Sequence, residues 1–240
     1  LRHHRRPHRR SDGRLTVVEF DAVLFDAGGV LVLPDPTVLG PLLSTYGGDA
    51  SIETHRRAHY ASMAAKSHAR SHEATWDVYN VTYVETVGVD PALVEHAAEV
   101  LDHTRSAHLW RWPIPETVAA LAELSDRGVP MGVVSNASGQ IEEVLRVTAI
   151  CQTGDGPNVS MRVVVDSYVV GIAKPDPKIF EFALPHFEEF DRSRIAYVGD
   201  SVTMDVEGAR AAGLHPILLD PYGDHPDADF DRIPSVLALL

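Results

Sequence analysis

The chain reads Val23-Leu24-Phe25-Asp26-Ala27-Gly28-Gly29-Val30-Leu31 at the point that is most informative about its architecture. A short apolar run ends in one carboxylate, Asp26, and two glycines follow directly after Ala27. This pattern predicts a buried strand that delivers Asp26 to its carboxyl end, followed by a turn open enough for a small anion to approach. Ligands bind at the carboxyl ends of strands in open α/β sheets. Asp26 is therefore a candidate nucleophile.

Strand and helix patterns alternate along the second half of the chain. Strand patterns end at Ser135-Asn136, at Gly199-Asp200 and at Asp220, and helical patterns lie between them, including helices expected at 177–183 and 202–212. This alternation predicts an α/β fold with a doubly wound parallel sheet of the Rossmann-like kind. After the first strand we expect an inserted α-helical domain at 34–108, with helices over 37–46, 52–71, 74–87 and 91–104. The core domain would then comprise residues 15–33 and 109–240, with a stiff linker at 110–115.

Composition restricts the class of protein and of partner. The 240 residues are 45% hydrophobic and carry a formal net charge of −13, although six arginines stand in residues 1–14. An acidic body argues against nucleic acid as a partner and suits an enzyme that binds a divalent cation. No apolar run reaches the roughly 18 residues that span a bilayer, so we expect no membrane association. The arginine-rich start lacks an apolar stretch behind it, which predicts a disordered basic extension rather than a secretory signal.

Cysteine usage indicates the compartment. The chain has one cysteine, Cys151, so an intramolecular disulfide is excluded. A single cysteine is typical of a protein in the reducing cytoplasm, where we expect this chain. The sequence does not determine the oligomeric state, and a homodimer is compatible with it.

Polar side chains at the ends of neighbouring predicted strands form a candidate metal site. In a parallel sheet the strand ends that carry Asp26, Ser135 and Asp200 meet at one edge. Asp26 and Asp200 would repel each other there unless a cation lay between them. One or two carboxylates with further oxygen ligands suit Mg²⁺, and the backbone carbonyl of Gly28 offers one such ligand. The sequence therefore predicts Mg²⁺ as the cofactor, with Asp26, Gly28 and Asp200 as its ligands.

A lysine and several small polar groups add a binding site for phosphate. Lys174 is one of three lysines and stands in Lys174-Pro175-Asp176-Pro177, where two prolines stiffen the loop. A fixed cation at this point can hold Asp26 ionised and stabilise an anionic substrate group. Ser135, together with nearby backbone groups at Gly29 and Asn136, can bind phosphoryl oxygens. Because a carboxylate in such a site can act as a covalent nucleophile, a small phosphorylated molecule is the expected substrate.

The order of these pieces resembles the haloacid dehalogenase-like hydrolase superfamily. The matching pieces stand between Ala22 and Asp220 and are Phe25-Asp26-Ala27-Gly28-Gly29-Val30-Leu31, Val133-Val134-Ser135-Asn136, Lys174-Pro175-Asp176-Pro177, and Val198-Gly199-Asp200-Ser201 with Asp205. The helical insert resembles the family's cap of the first type, which closes over the site and selects the substrate. The resemblance implies a Mg²⁺-dependent phosphohydrolase in which Asp26 forms an aspartyl-phosphate. It also implies that Ser135 and Lys174 hold the phosphoryl group and that Asp205 supports the metal site or Lys174.

The chain departs from the family pattern at Gly28. Phosphatases of this family usually carry a second aspartate there, which acts as general acid and base. Such help is worth roughly 10²- to 10⁴-fold in rate. Three explanations stay open: a leaving group that needs no proton, such as an acyl or aryl phosphate; a proton donor from the histidine-rich insert; or a protein that binds phosphorylated ligands and turns them over slowly.

Other functions remain compatible with the sequence. A carbon–halogen hydrolase would release halide without a proton, but it would leave the Asp200 and Asp205 pattern without a role. A phosphonate hydrolase would require Lys66, the only lysine of the insert, to reach the site. A module that binds phosphorylated ligands without catalysis is the third alternative.

Histidines at a spacing of four are the remaining feature of the insert. The pairs His55/His59 and His68/His72 each lie on one helical face, a geometry that could bind zinc. We expect them instead on solvated faces, where they would form a basic surface for anionic substrates together with Arg56, Arg57, Lys66 and Arg70. Trp110 and Trp112 are expected to pack within the linker.

Overall fold

The computed structural model describes residues 20–71 and 75–240. The basic extension expected at 1–14, the expected start of the core at 15–19 and His72 lie outside the described residues. No helix in the described ranges is long and apolar enough to cross a membrane.

The described part of the chain forms ten strands and eight α-helices, joined in places by short 3-10 and π-helical turns. The strands are β1 (Ala22–Phe25), β2 (Val32–Pro34), β3 (Trp110–Pro113), β4 (Met131–Ser135), β5 (Cys151–Thr153), β6 (Val159–Met161), β7 (Val164–Asp166), β8 (Ile195–Gly199), β9 (His215–Leu219) and β10 (Asp231–Ile233). The helices are α1 (Pro36–Ser44), α2 (Ile52–His68), α3 (Asp77–Thr86), α4 (Val94–Thr104), α5 (Pro115–Asp126), α6 (Ile141–Val147), α7 (Ser167–Val170) and α8 (Glu207–Ala211).

Six parallel strands form the central sheet, in the order β10-β9-β8-β1-β4-β7. The chain builds outward from β1 through β4 to β7 and then crosses back to β8 on the other side of β1. The strand order therefore reverses beside β1, and a crevice opens outside the strand ends at such a point. The predicted fold class, a doubly wound parallel α/β sheet, is confirmed.

Both faces of the sheet are covered, which explains why β1 is apolar throughout. Val23 and Phe25 pack into one core cluster together with Leu121 of α5. Ala22 and Leu24 point to the opposite face and pack with a second cluster that includes Phe180. All four β1 side chains are fully buried. A strand buried on both faces reads as a continuous apolar run, and its end is therefore fixed in the sheet.

The helical insert comprises α1 to α4 and has an apolar core of its own. Leu39, Leu43, Tyr83 and Val84 belong to this core. The insert leaves the sheet through β2 and returns through β3, which pair in antiparallel fashion with Val32 opposite Pro113. The stiff linker expected at 110–115 is therefore wrong in part, because residues 110–113 form a strand. The exact domain boundaries stay a prediction.

Three further elements differ from expectation. The single helix expected at 202–212 is a π-helical turn, Val202–Val206, followed by the short α8. The helix expected at 177–183 is a 3-10 helix, Pro177–Phe182. The parallel pair of β5 and β6 was not predicted, since two strands of three residues are too short to show an alternating pattern.

Candidate active site

The end of β1 places Asp26 in the wall of a cavity. Asp26 follows the fully buried Phe25 and is itself only 9% exposed. Its Oδ1 accepts a hydrogen bond from the N–H of Ala27 at 2.7 Å and lies 3.0 Å from Nζ of Lys174. Ser135, at the end of the neighbouring β4, also hydrogen-bonds to Asp26. The structure thus brings Asp26, Ser135 and Lys174 together, although they are far apart in the sequence.

Lys174 is fixed by bonds at both its ammonium group and its backbone. Nζ lies 2.6 Å from Oδ1 of Asp205 and donates to Oη of Tyr197 at 2.8 Å. The backbone N–H of Lys174 donates to Oδ1 of Asn136 at 2.8 Å, and Nδ2 of Asn136 donates to the Lys174 carbonyl at 3.1 Å. Asn136 lines the cavity, but its side-chain amide is engaged in holding the loop that carries Lys174.

A π-helical turn brings two more carboxylates to the same place. Asp200 directly follows β8, and the turn Val202–Val206 carries Asp205 back toward it. Oδ2 of Asp205 accepts hydrogen bonds from the N–H groups of Asp200 at 3.1 Å and Ser201 at 2.9 Å. Asp205 therefore connects the Lys174 ammonium group to the loop that presents Asp200. This geometry is consistent with a supporting role for Asp205.

Three buried carboxylates face one buried ammonium group, and this imbalance suits a divalent cation. Carboxylate oxygens of Asp26, Asp200 and Asp205 all lie within 4.8 Å of one another. Burial raises the pKa of Asp26 to about 7, although Lys174 opposes this effect. Burial also raises the pKa of Asp200 above its ordinary value, against the hydrogen bond from His59. Burial alone would lower the pKa of Lys174. The negative charges of Asp205 and Asp26 outweigh this effect, so the pKa of Lys174 is raised. An all-oxygen donor set with excess negative charge fits Mg²⁺.

Gly28 lines the cavity, and the indole of Trp110 lies against it. A β-carbon built at Gly28 would lie 3.2 Å from Cζ3 and 3.3 Å from Cε3 of Trp110. The ring therefore crowds the space in which a side chain at position 28 would begin. Trp110, which we expected to pack within a linker, also lines the cavity. The missing carboxylate at position 28 is thus accompanied by an apolar wall.

Gly29 allows Asp200 to approach the turn closely. Its φ is +71°, and a β-carbon at this position would lie 1.8 Å from Oδ2 of Asp200. The N–H of Gly29 donates to the carbonyl of Val32 at 2.8 Å, and its own carbonyl accepts from Oη of Tyr60 at 2.7 Å. Among the described residues, the cavity lining includes Gly28 but not Gly29. Both backbone polar groups of Gly29, which we expected to help bind phosphoryl oxygens, are therefore hydrogen-bonded within the protein.

The expectation that His55 and His59 lie on solvated faces is wrong, because both are buried. Nε2 of His59 lies 2.9 Å from Oδ2 of Asp200, and its Nδ1 lies 2.9 Å from Oη of Tyr79. Nδ1 of His55 pairs in the same way with Oη of Tyr83 at 2.8 Å. Tyrosine partners on α3 let both histidines enter the interior. Two tyrosines with the same spacing of four are the sequence signal that could have located them.

The basic residues of the insert pair with the core or with aromatic rings instead of forming an open basic surface. Lys66 is buried, and its Nζ lies 3.9 Å from the ring centroid of Trp76. Among the described residues, the cavity lining does not include Lys66. The lysine that a phosphonate hydrolase would need in the site is therefore not placed there. Three arginines of the insert form ion pairs with core carboxylates: Arg56 with Glu116, Arg57 with Asp224 and Arg70 with Glu207. His68, the described member of the second histidine pair, is exposed as expected.

A cavity of about 410 Å³ extends from the buried carboxylates to the insert. The insert side of its wall includes Met63 of α2, Trp76 before α3 and Arg105 after α4. Sequence reasoning missed all three residues. No motif marks them, because their position depends on how the insert docks on the core rather than on where a strand ends.

The chain is similar to proteins of one hydrolase family. The haloacid dehalogenase-like hydrolase profile matches residues 20–213. Haloacid dehalogenase-like hydrolase domain-containing protein 3 from Bos taurus is 32% identical over 177 residues, which cover 71% of this chain and 67% of that protein. Phosphoserine phosphatase from Thermus thermophilus is 33% identical over 138 residues, so the match spans 57% of this chain and only 51% of that enzyme. The solved structure of a HAD phosphatase from Thermococcus onnurineus has the same fold, with a TM-score of 0.55 and 22% identity over 91% of this chain and 95% of that chain.

Proposed function

Because this chain belongs to the haloacid dehalogenase-like hydrolase family, we propose that it is a Mg²⁺-dependent phosphohydrolase for a small phosphorylated metabolite. The proposal rests chiefly on one observation: Asp26 lines a cavity with Nζ of Lys174 3.0 Å from its carboxylate and two more buried carboxylates beside it. A phosphatase among the relatives at about one third identity supports phosphate chemistry over halide chemistry.

Asp26 is the proposed nucleophile. Its carboxylate attacks phosphorus while the bond to the leaving oxygen breaks, and the leaving group departs with the electron pair. The product is an aspartyl-phosphate, which water then hydrolyses to restore Asp26 and release phosphate. Lys174 favours the ionised form of Asp26 against the effect of burial and would neutralise phosphoryl oxygens. The hydroxyl of Ser135, which is 2% exposed at the end of β4, would donate to one of those oxygens.

Asp26, Asp200 and the backbone carbonyl of Gly28 are the groups that would hold Mg²⁺. Bound Mg²⁺ would neutralise the charge of the phosphoryl group. The fit is supported by the charge of the donor set, in which three buried carboxylates face one buried ammonium group. Asp205 would support this arrangement through Lys174 and through the backbone of Asp200.

The pair of Gly28 and Trp110 favours a leaving group that departs with little help from a proton. No histidine lines the cavity in the part of the chain that the structure describes, and Nε2 of His59 is bound to Asp200. A proton donor from the insert histidines is therefore not supported. Aryl and acyl phosphates are the substrates that suit an apolar wall at this position.

The first test measures phosphate release from 4-nitrophenyl phosphate with and without Mg²⁺. We expect turnover that requires Mg²⁺ and falls to background in Asp26→Asn. Mass spectrometry of the wild-type protein after rapid acid quench should find one phosphoryl group on the peptide that contains Asp26. The matched control is Asp21→Asn, which makes the same substitution at the opposite end of β1, where Asp21 pairs with Arg194.

Two outcomes would contradict the proposal. Halide release from 2-haloacids without metal would assign the chain to the dehalogenases. Calorimetric binding of phosphorylated metabolites without turnover of any of them would favour a binding module.

A further inference from the structure

The insert end of the cavity carries a cation that is held against an aromatic wall. The guanidinium carbon of Arg105 lies 4.1 Å from the ring centroid of Trp76, and both side chains line the cavity. Nη2 of Arg105 donates to Oδ1 of Asn80. The Arg105 side chain is only 15% exposed. Stacking and hydrogen bonding therefore fix the guanidinium in one place, as a rigid recognition group requires.

Among the described residues, Arg105 has one direct carboxylate partner, Asp102, and a weaker electrostatic interaction with Asp77. Nη2 of Arg105 lies 3.4 Å from Oδ1 of Asp102, which is longer than a good charged hydrogen bond. The Asp102 side chain is also 54% exposed. Burial lowers the pKa of Arg105, although a guanidinium stays charged in proteins. This end of the cavity is therefore suited to an anion.

Given the proposed phosphohydrolase function, on which this inference rests, we propose that Arg105 binds a carboxylate on the organic part of the substrate. The substrate class is then a phosphomonoester that carries a second, carboxylate anion. Its phosphate would lie at Lys174 and its carboxylate at Arg105, with the connecting part against Trp76 and Trp110. A planar guanidinium can donate two parallel hydrogen bonds to one carboxylate. A cavity of about 410 Å³ accommodates a small molecule with two anionic ends.

The test compares 4-carboxyphenyl phosphate with 4-carbamoylphenyl phosphate, two esters of the same shape that differ by one charge. We expect the wild-type KM to be about tenfold lower for the carboxylated ester, as one charged hydrogen-bonded pair provides. Arg105→Gln should bring the two KM values together, and Arg105→Lys should keep part of the difference. Arg111→Gln is the matched control, because Arg111 is half exposed on β3 and pairs with Asp35 outside the cavity.

A second variant changes the charge in the opposite direction. Asp102→Asn removes the carboxylate that competes for Arg105, so we expect the KM of the carboxylated ester to fall about threefold. The fall should largely disappear when Asp102→Asn is combined with Arg105→Gln, because the guanidinium that binds the carboxylate is then absent. Unfolding temperatures of all variants show whether each one is folded.

The outcomes separate this inference from the proposed function. If wild-type protein hydrolyses both esters with equal KM, or if Arg105→Gln raises both KM values alike, the assignment of Arg105 is wrong while the phosphohydrolase stands. If neither ester is hydrolysed, the proposed function fails for this class, and calorimetry on Asp26→Asn still compares the affinities of the two esters. Equal affinities there would overturn the assignment as well.

Discussion

Gly28 and Trp110 are adapted to each other, because a β-carbon at position 28 would lie only 3.2 Å from the indole. A change at either position alone leaves the other adapted to its original neighbour. The β-carbon of an aspartate at position 28 would lie 3.2 Å from the ring, a contact tight enough that the indole or the new side chain has to shift by a few tenths of an ångström. We therefore expect that restoring the family pattern takes a substitution at both positions.

We expect the double variant Gly28→Asp with Trp110→Leu to hydrolyse phenyl phosphate faster than Gly28→Asp alone. The gain over the wild type should approach the roughly 10²-fold that a general acid provides, because phenolate is a poor leaving group. The gain should be much smaller with 4-nitrophenyl phosphate, whose leaving group needs no proton. Steady-state kcat with both esters measures this difference. Equal gains in the single and double variants would show that Trp110 does not obstruct the position.

Metal binding should depend on the protonation of Asp26. Burial raises its pKa from the ordinary value of 3.8 to about 7, so ionisation of Asp26 destabilises the metal-free fold as the pH rises across this range. Mg²⁺ requires the ionised carboxylate. We therefore expect the apparent Mg²⁺ affinity to weaken about tenfold for each pH unit below 7. Isothermal titration calorimetry at several pH values measures this slope, and an affinity independent of pH in this range would contradict the prediction.

Residues at strand ends could be identified from the sequence, and residues on the insert could not. Asp26, Ser135 and Asp200 follow short apolar runs, and the geometry of a parallel sheet brings such ends together whatever packs around them. His59, Trp110 and Arg105 reach the site only because the insert docks in one particular orientation. No local pattern carries that information.

At the level of elements, the π-helical turn Val202–Val206 shows why a helix prediction was too simple. Apolar periodicity over residues 202–212 fits a continuous α-helix, but the wider turn directs Asp205 back over Gly199. A β-carbon at Gly199 would lie 2.2 Å from Cγ of Asp205, so only glycine allows this approach. The turn is π-helical rather than α-helical where Asp205 packs against Gly199 and binds the backbone of Asp200.

Helices α2 and α3 are joined by two equivalent histidine–tyrosine pairs, only one of which reaches Asp200. We expect Tyr79→Phe and Tyr83→Phe each to lower the free energy of unfolding by about 1–3 kcal/mol, because each leaves a buried histidine nitrogen without its partner. Tyr79→Phe should also weaken Mg²⁺ binding about tenfold, since His59 orients the Asp200 carboxylate. Urea unfolding and calorimetry test both effects. A loss of Mg²⁺ affinity in Tyr83→Phe would refute the distinction.

At the scale of the whole molecule, polar pairs join one side of the insert to the core. Arg56, Arg57 and Arg70 each reach a carboxylate beyond the insert, and Oη of Tyr222 donates to Oε1 of Glu53 at 2.6 Å. The sequence indicated a basic insert, but it did not show that core carboxylates neutralise these arginines. Ion pairs at a partly exposed boundary are weak individually and are screened by salt. We therefore expect these exposed pairs to contribute to how firmly the insert stays on the core, beside the buried contacts of His59 and Tyr60.

We expect Arg57→Gln to change the free energy of unfolding by less than about 1 kcal/mol while it makes the insert easier to separate from the core. Arg57 forms two bonds to Asp224, at 2.7 and 2.9 Å, and these should be lost. Small-angle X-ray scattering should show a larger radius of gyration for this variant at low salt, and for the wild type only at high salt. Arg127→Gln is the control, because Arg127 directly follows α5 and its partner Glu123 lies in that helix, away from the insert. Identical radii in all three proteins at low salt would rule out this role.

The aromatic wall of the cavity also gives the protein an optical signal. The chain has three tryptophans, and two of them, Trp76 and Trp110, line the cavity. Their fluorescence emission should change in intensity and wavelength when a molecule replaces water against the rings, whereas Trp112 lies outside the cavity lining and would contribute a steadier background. Binding of any candidate metabolite can therefore be followed in real time on the unlabelled protein, without waiting for a reaction product to accumulate.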